Sequence, residues 1–337
     1  MKEIFQHLSK VFEKNEAAVL VTVTSSSGST PRGEGAHMLV SKAGRLTGTI
    51  GGGAVEYHAE EIAKKALKKH SAHMEKFILA PNKNVDLGMI CGGNVEVSFH
   101  YLSGEDPINQ QLCTEVNDHY AKNQQGWLVL EIEPDNTNHI GFYSEATGLI
   151  GSVTSELPTV DFEAGTKIIK MNQHTYWIES LLQKGKVYVF GSGHVAQALV
   201  PVLTNLNFYC VVLDDRPEFL TKEHFPTADE RIIVDLTNFE QQIQLTADDY
   251  GVIMTRSHRF DFEAARQLLQ MPAYYLGLMG SKRKVANQIS RLKEYGYSDE
   301  EIKKIHMPIG LEINGETPAE LAISVAGQLI MERAANR

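Results

Sequence analysis

Residues 186–196, KVYVFGSGHVA, constrain the fold of this chain more than any other stretch. A β-type apolar run stops at two glycines spaced G-x-G, and a helix-forming segment follows. This is how a parallel nucleotide-binding sheet builds its phosphate cradle. Gly191 permits the tight turn, Gly193 lets the backbone approach an anion, and Ala196 takes the position that needs a small residue for helix–strand packing. The amides of the first helical turn, starting at His194, then face the phosphate. A second apolar run, residues 208–213, ends in Asp214 and Asp215. They lie about 20 residues on, where such folds place a carboxylate for ribose hydroxyls. Asp214 in that role favours NAD over NADP, because a carboxylate repels a 2′-phosphate. A glycine-rich turn without a ligand is the alternative. The strand, the helix and the acidic residue, in that order, weigh against it.

From residue 187 to the end, strand-like and helix-like segments alternate: VYVF, FYCVVLDD, RIIV, YGVIM and YYLGLM, with helices between and after them. That alternation predicts a doubly wound parallel sheet. Pro201 sits inside the first of these helices, where it removes a hydrogen bond and should bend the axis. Capping boxes at Ser298–Glu301 and Thr317–Glu320 mark two later helix starts. The last helix, Thr317 to Ala335, shows one apolar face through Leu321, Val325 and Leu329 that closes the domain, and apolar helix faces at the C-terminus permit a homodimer.

Toward the N-terminus, Ile4, Phe5, Leu8, Val11 and Phe12 share one helical face. Residues 17–24 then read as a buried strand, 37–40 and 46–50 as two more, and 95–102 as another. The whole is an α/β protein, with a Rossmann-like doubly wound parallel sheet at 181–337 and a separate N-terminal α/β domain at 1–104. Residues 105–180 form an α/β element that links or extends the first domain.

The chain has 337 residues, more than one ordinary core holds. Its formal net charge of −10 argues against binding nucleic acid or an anionic membrane, since both need a basic face. No apolar run approaches a membrane span. The charged N-terminus lacks the apolar stretch of a secretory signal. Cys91, Cys113 and Cys210 are scattered and odd in number, which suits a reducing cytoplasm better than a disulfide framework.

Several loops besides the cradle carry candidate chemistry. Gly51, Gly52 and Gly53 open a helix and offer bare amides to an anion, or simply make a tight turn. Glu56, one turn in, suits an anion site only if it faces away or contacts a different ligand group. Arg32, in Ser-Thr-Pro-Arg-Gly, is a candidate clamp for phosphate or carboxylate, or one residue of an ordinary turn. Cys91 stands beside Gly92 and Gly93, where amides favour a thiolate; a small core cysteine is the alternative. Gly280 turns the chain, Ser281 caps a helix, and Lys282, Arg283 and Lys284 crowd its first turn. Cations are disfavoured there unless an anion or solvent compensates them. His258 and Asp261 follow a strand at the edge where open α/β sheets bind ligands. His258 is open to proton transfer, metal ligation or an ordinary loop role.

Taken in order, these segments resemble the XdhC/CoxI family, the accessory proteins of xanthine dehydrogenase-type molybdoenzymes. STPRGEGAHMLV, GTIGGGAVE and CGGNVEV are similar to the family's N-terminal domain. FGSGHVAQAL, DDRPEF, TRSHRFD, YLGLMGSKRK and PIGLEINGETPAELAISV are similar to its Rossmann domain. The resemblance implies a chaperone that binds the molybdenum cofactor (molybdopterin), protects it during sulfuration, with a cysteine desulfurase as a further partner, and delivers it to an apo-dehydrogenase. It also implies Cys91 as a sulfur contact to molybdenum. Arg256 stands where the family's loop usually has the first histidine of Thr-His-x-His. That leaves His258 and Asp261 as the matching positions. Two other classes remain open. One is an NAD-dependent oxidoreductase, although no Lys, Tyr or His general acid is fixed by a motif. The other is an adaptor that senses a nucleotide without catalysis.

Overall fold

The computed structural model describes every residue except 31, 79–92, 133–137, 154–165, 172–173, 182–184 and 337. The chain forms two compact units, Met1–Leu182 and Gln183–Arg337. Among the described residues, no helix is long and apolar enough to cross a membrane.

The first unit runs α1 (Lys2–Phe12), β1 (Ala17–Ser27), β2 (His37–Ser41), β3 (Gly44–Gly48), α2 (Gly53–Lys69), β4 (His73–Ile78) and β5 (Asn94–Ser103). It continues with α3 (Pro107–Lys122), β6 (Trp127–Ile132), β7 (Asn138–Ser144), β8 (Gly148–Gly151), β9 (Thr166–Met171) and β10 (His174–Ser180). The strands make two antiparallel sheets, ordered β3–β2–β1–β5–β4 and β8–β7–β6–β10–β9. β1 is central to the first, and residues 18–24 are all buried. Its side chains alternate between two cores, as the pleat requires. Val19, Val21 and Val23 pack under α2 against Val55, Ala59 and Ala63. Ala18 and Leu20 face Phe5 and Leu8 of α1, and the same core takes in Leu112 and Val116 of α3 with Leu128, Phe142 and Trp177 of the second sheet. Residues 105–180 therefore share a core with the N-terminal helix and strands.

The second unit runs β11 (Lys186–Phe190), α4 (His194–Asn205), β12 (Tyr209–Asp214), β13 (Glu230–Ile233), β14 (Tyr250–Ile253) and α5 (His258–Leu268). It closes with β15 (Tyr275–Leu278), α6 (Lys282–Glu294), α7 (Asp299–Ile302), β16 (Ile305–His306) and α8 (Pro318–Ala335). Its sheet is ordered β13–β12–β11–β14–β15–β16, with every neighbouring pair parallel. In chain order that is 3-2-1-4-5-6, the order of dinucleotide-binding sheets, with its switch point between β11 and β14. This is the Rossmann-like doubly wound sheet that the alternation predicts.

Both faces of the sheet are covered. Val187, Val189 and Val252 pack with Leu199 and Leu203 of α4 and Val325 and Leu329 of α8. Tyr188, Phe190 and Ile253 pack with Phe262 and Leu268 of α5 and Leu292 of α6. Burying each such side chain contributes about 1.5–3 kcal/mol before entropy is counted. α4 runs on through Pro201 to Asn205. Both capping boxes form, at Ser298 with Glu301 and at Thr317 with Glu320. α8 buries Ala322, Ser324, Val325, Ala326 and Leu329 but leaves Leu321 partly exposed, so its inner face is turned from the one expected.

Candidate functional site

Because β11, β14 and β15 are adjacent and parallel, the helices that follow them all begin at one edge of the sheet. The chain leaves β11 through Gly191, at φ +119°. A Cβ on Gly191 would lie 2.4 Å from the Met254 carbonyl, so this turn is pressed against the segment leaving β14. Gly193 differs. It caps α4 with φ −70°, and a Cβ there would meet no atom within 4 Å. The open space lies in front of the first turn of α4, with His194 exposed beside it and Ala196 buried below.

The carboxylates after β12 are arranged differently from the expectation. Asp214 is 1% exposed and faces inward. Its Oδ2 accepts from Ser192 N at 2.8 Å, Ser192 Oγ at 2.7 Å and Arg216 Nη2 at 3.1 Å. Its Oδ1 accepts from Arg216 N at 3.1 Å and Nε at 2.9 Å. Burial alone would raise this carboxyl, but the donors of Arg216 and Ser192 hold it well below the usual carboxylate range. A carboxylate so engaged ties β12 to the glycine turn and has no oxygen to spare for a ribose. Asp215 takes both terminal nitrogens of Arg256, one at 2.7 Å. Arg256 also lies 4.2 Å over the Phe260 ring. The residue that replaces the family histidine thus bridges the ends of β12 and β14.

α5 is capped by Ser257. His258 is exposed, and its carbonyl accepts from Gln288 Nε2 at 2.9 Å. Asp261, expected to meet a ligand, is fully buried instead. Its Oδ1 accepts from Thr255 N at 2.9 Å and Thr255 Oγ1 at 2.7 Å, and its Oδ2 lies 2.5 Å from Lys284 Nζ. This ion pair joins the start of α5 to the start of α6. Gly280 makes room for it, since a Cβ there would lie 2.8 Å from Lys284 Cδ. Ser281 caps α6 by accepting from Lys284 N at 3.3 Å. Of the three cations in this turn Lys284 is therefore occupied. Lys282 and Arg283 are exposed and form no ion pair among the described residues. The helix dipole opposes both, so an anion at this edge would gain from both.

In the first unit, β3 runs parallel to β1, while β5 begins where β1 ends. The loop carrying Arg32, the triple-glycine turn and Gly93 therefore gather at one end of the sheet. Gly93 is wedged there, because a Cβ would lie 2.5 Å from the carbonyls of both Ser27 and Ser29. Arg32 is exposed. Cys91, with Gly92, lies outside the described residues.

Gly51, Gly52 and Gly53 all have positive φ, the conformation glycine alone adopts freely. Their turn already holds an anion. Glu56 Oε2 accepts from Ile50 N and Gly52 N at 3.1 Å each, and its carboxylate also takes Thr49 Oγ1 and the Arg45 guanidinium. Gly51 N donates to Thr49 Oγ1 at 3.1 Å. Burial would raise the Glu56 carboxyl, yet Thr49, Gly52, Arg45 and Ile50 together hold it below its ordinary value. Glu56 thus faces in, not away.

One buried polar link has no counterpart in the expectations. His37 Nε2 lies 2.8 Å from Glu179 Oε2 of β10, and His37 Nδ1 lies 3.0 Å from Thr22 Oγ1. It fastens the end of the loop bearing Arg32 to the second sheet. No sequence spacing signals a pair 142 residues apart.

Known families match both units. The profile of the XdhC Rossmann domain matches residues 187–329, and that of the XdhC and CoxI family matches residues 11–78. The chain belongs to the XdhC/CoxI family. It is 26% identical to a probable xanthine dehydrogenase subunit of Bacillus subtilis (strain 168), over 97% of this chain and 96% of the relative. It is 22% identical to the molybdenum cofactor insertion chaperone PaoD of Escherichia coli (strain K12), over 98% and 88%. Among solved structures, the crystal structure of a xanthine dehydrogenase from Bacillus halodurans superposes with a TM-score of 0.81 at 25% identity, covering 99% of this chain and 96% of that one.

Proposed function

We propose that this XdhC/CoxI chain is an accessory protein for molybdoenzymes. It binds the molybdenum cofactor, supports its sulfuration and inserts it into a xanthine dehydrogenase-type enzyme. The observation that carries the reading is the open sheet edge at the β11–β14 switch point, where such sheets bind ligands in a crevice. Gly193 leaves open space before the first turn of α4, and Lys282 and Arg283, on the same sheet edge, have no ion-pair partner among the described residues. Molybdopterin bears a phosphate, and bare helix-start amides with nearby cations suit that group. The delivery step is supported by the relative whose name is molybdenum cofactor insertion chaperone.

In this reading the cofactor is cargo. In the second unit, His194, Gly193 and the α6 cations hold its phosphate, with His258 on the same edge. Within the first unit taken by itself, Arg32 is a candidate anion contact and Cys91 a candidate sulfur ligand, a type suited to soft metals. A cysteine desulfurase supplies the sulfur, and the chain acts as a homodimer in the cytoplasm. The test is gel filtration of the full chain with molybdenum cofactor, followed by release and assay of the bound molybdenum. Co-elution that drops at least tenfold in K282A/R283A supports the reading; no retained molybdenum overturns it.

The strand order favours one further reading, an adaptor that senses a nucleotide. An NADH titration by fluorescence separates the two, since the inward-facing Asp214 speaks against a ribose site. Binding of NADH without retention of molybdenum would favour the adaptor.

A further inference from the structure

We infer that Arg256 is a movable anion clamp, parked on Asp215 until a phosphate-bearing ligand enters the crevice. The inference rests on the reading of the β11–β14 crevice as an anion site. Arg256 leaves the end of β14, beside the glycine turn that Gly191 presses against Met254 and Thr255. Its guanidinium is about a third exposed, and the Asp215 side chain is 26% exposed, so water and solutes reach the pair at the sheet edge. Phe260 supports the flat face of the guanidinium and leaves its edge of donors turned to whichever anion is nearest. A planar five-donor fork matches phosphate as well as it matches carboxylate.

Moving Arg256 does not strand Asp215. Arg216 Nε lies 4.0 Å from Asp215 Oδ1 and stays anchored on Asp214. A second guanidinium is therefore in place to hold the carboxylate when the first departs. The cluster of Asp214, Asp215, Arg216 and Arg256 is balanced, two against two, so its net charge attracts no anion by itself. The pull comes from Lys282 and Arg283, and the clamp adds geometry once the anion has arrived. An ion pair of this exposure is weak enough to exchange.

The test is calorimetric titration of inorganic phosphate into the full chain and its variants. Thermal unfolding of each variant checks that the fold is kept. Removing the parking carboxylate in D215N should tighten phosphate binding about fivefold, and R256Q should weaken it by at least as much. R256K should fall between R256Q and the unmodified chain, because it keeps the charge and loses the fork. In the R256Q background, D215N should bring no gain. A gain that persists there would be a plain charge effect and would overturn the clamp. If K282A/R283A loses phosphate while D215N and R256Q match the unmodified chain, the crevice reading stands and the clamp fails. If neither the unmodified chain nor D215N takes up phosphate, the crevice reading itself fails and the clamp with it.

Discussion

Asp214→Asn tests the inward carboxylate directly. Five donors converge on Asp214, two from Ser192 and three from Arg216, at 2.7–3.1 Å. An asparagine of the same shape keeps one oxygen and replaces the other with an NH2 group. In one orientation that group faces the Ser192 amide, in the other it faces the Arg216 nitrogens. Either way, donors are set against donors. Ser192 is wholly buried, so water cannot relieve its N–H, whereas Arg216 is a quarter exposed and is partly relieved. A buried donor left unsatisfied costs about 1–3 kcal/mol, and breaking a buried ion pair about 3–5. With the solvent access of Arg216 discounted, the loss should be about 3 kcal/mol.

Urea unfolding followed by far-ultraviolet circular dichroism reads this as a midpoint lower by about 1–2 M for the second unit. Trp127 and Trp177, the only tryptophans, both belong to the first unit, so their fluorescence serves as the control. The pH dependence follows from the sign of the shift. The folded carboxyl titrates below its unfolded value of 3.8, so its contribution is complete above that value and fades as pH falls through the lower folded pKa. The gap between D214N and the unmodified chain should therefore be the same at pH 7 and at pH 5. An unchanged midpoint, or a gap already closed at pH 5, refutes the account of the turn.

Gly191→Ala puts a methyl group 2.4 Å from the Met254 carbonyl at φ +119°, so it should cost more than 3 kcal/mol or abolish soluble expression. Gly193→Ala meets open space at an ordinary φ; it should keep the melting temperature within a few degrees while weakening phosphate uptake in titration. Glu56→Ala frees the amides of Ile50 and Gly52 and should destabilise the first unit by about 1–2 kcal/mol, read by tryptophan fluorescence in urea. His100 is fully buried, and burial pushes its pKa down to about 3, so the unfolded chain takes up a proton first as pH falls below 6.5. The first unit should lose up to about 1.4 kcal/mol per pH unit between those values through this group, and H100N should flatten that slope.

The strand, turn and helix around Gly191 were legible because each rests on local chemistry: an apolar run, two glycines, a small residue at Ala196. The role of Asp214 was not, because its direction is decided by Arg216 two residues on and by Ser192 across the sheet. Glu56 was visible as a neighbour of the glycines, but whether it faced in or out depended on Arg45 and Thr49, which belong to β3 and the turn after it. The final helix was legible in extent and not in orientation. Side-chain size suggested Leu321, whereas close contact with α4 selects Ala322 and Ala326. β4 and β7–β9 are short and half-polar, and they gain their strand character from the neighbours they pair with. Asp215 with Arg256, and His37 with Glu179, are meetings across distant sequence that no local pattern encodes.

β1 is a party wall. Its odd-numbered valines furnish the chamber beneath α2, and its even-numbered residues furnish the one shared with α1 and the second sheet. A slip of one residue would exchange the contents of the two chambers, so the strand's position is fixed from both sides at once. The irregularity in its pairing with β5 falls between Val23 and Ser25, beyond the last of the valines. The loop that carries Arg32 begins only after that point, past the last buried residue of the strand. The walls of both chambers are thus set by residues 18–24, before the chain reaches that loop.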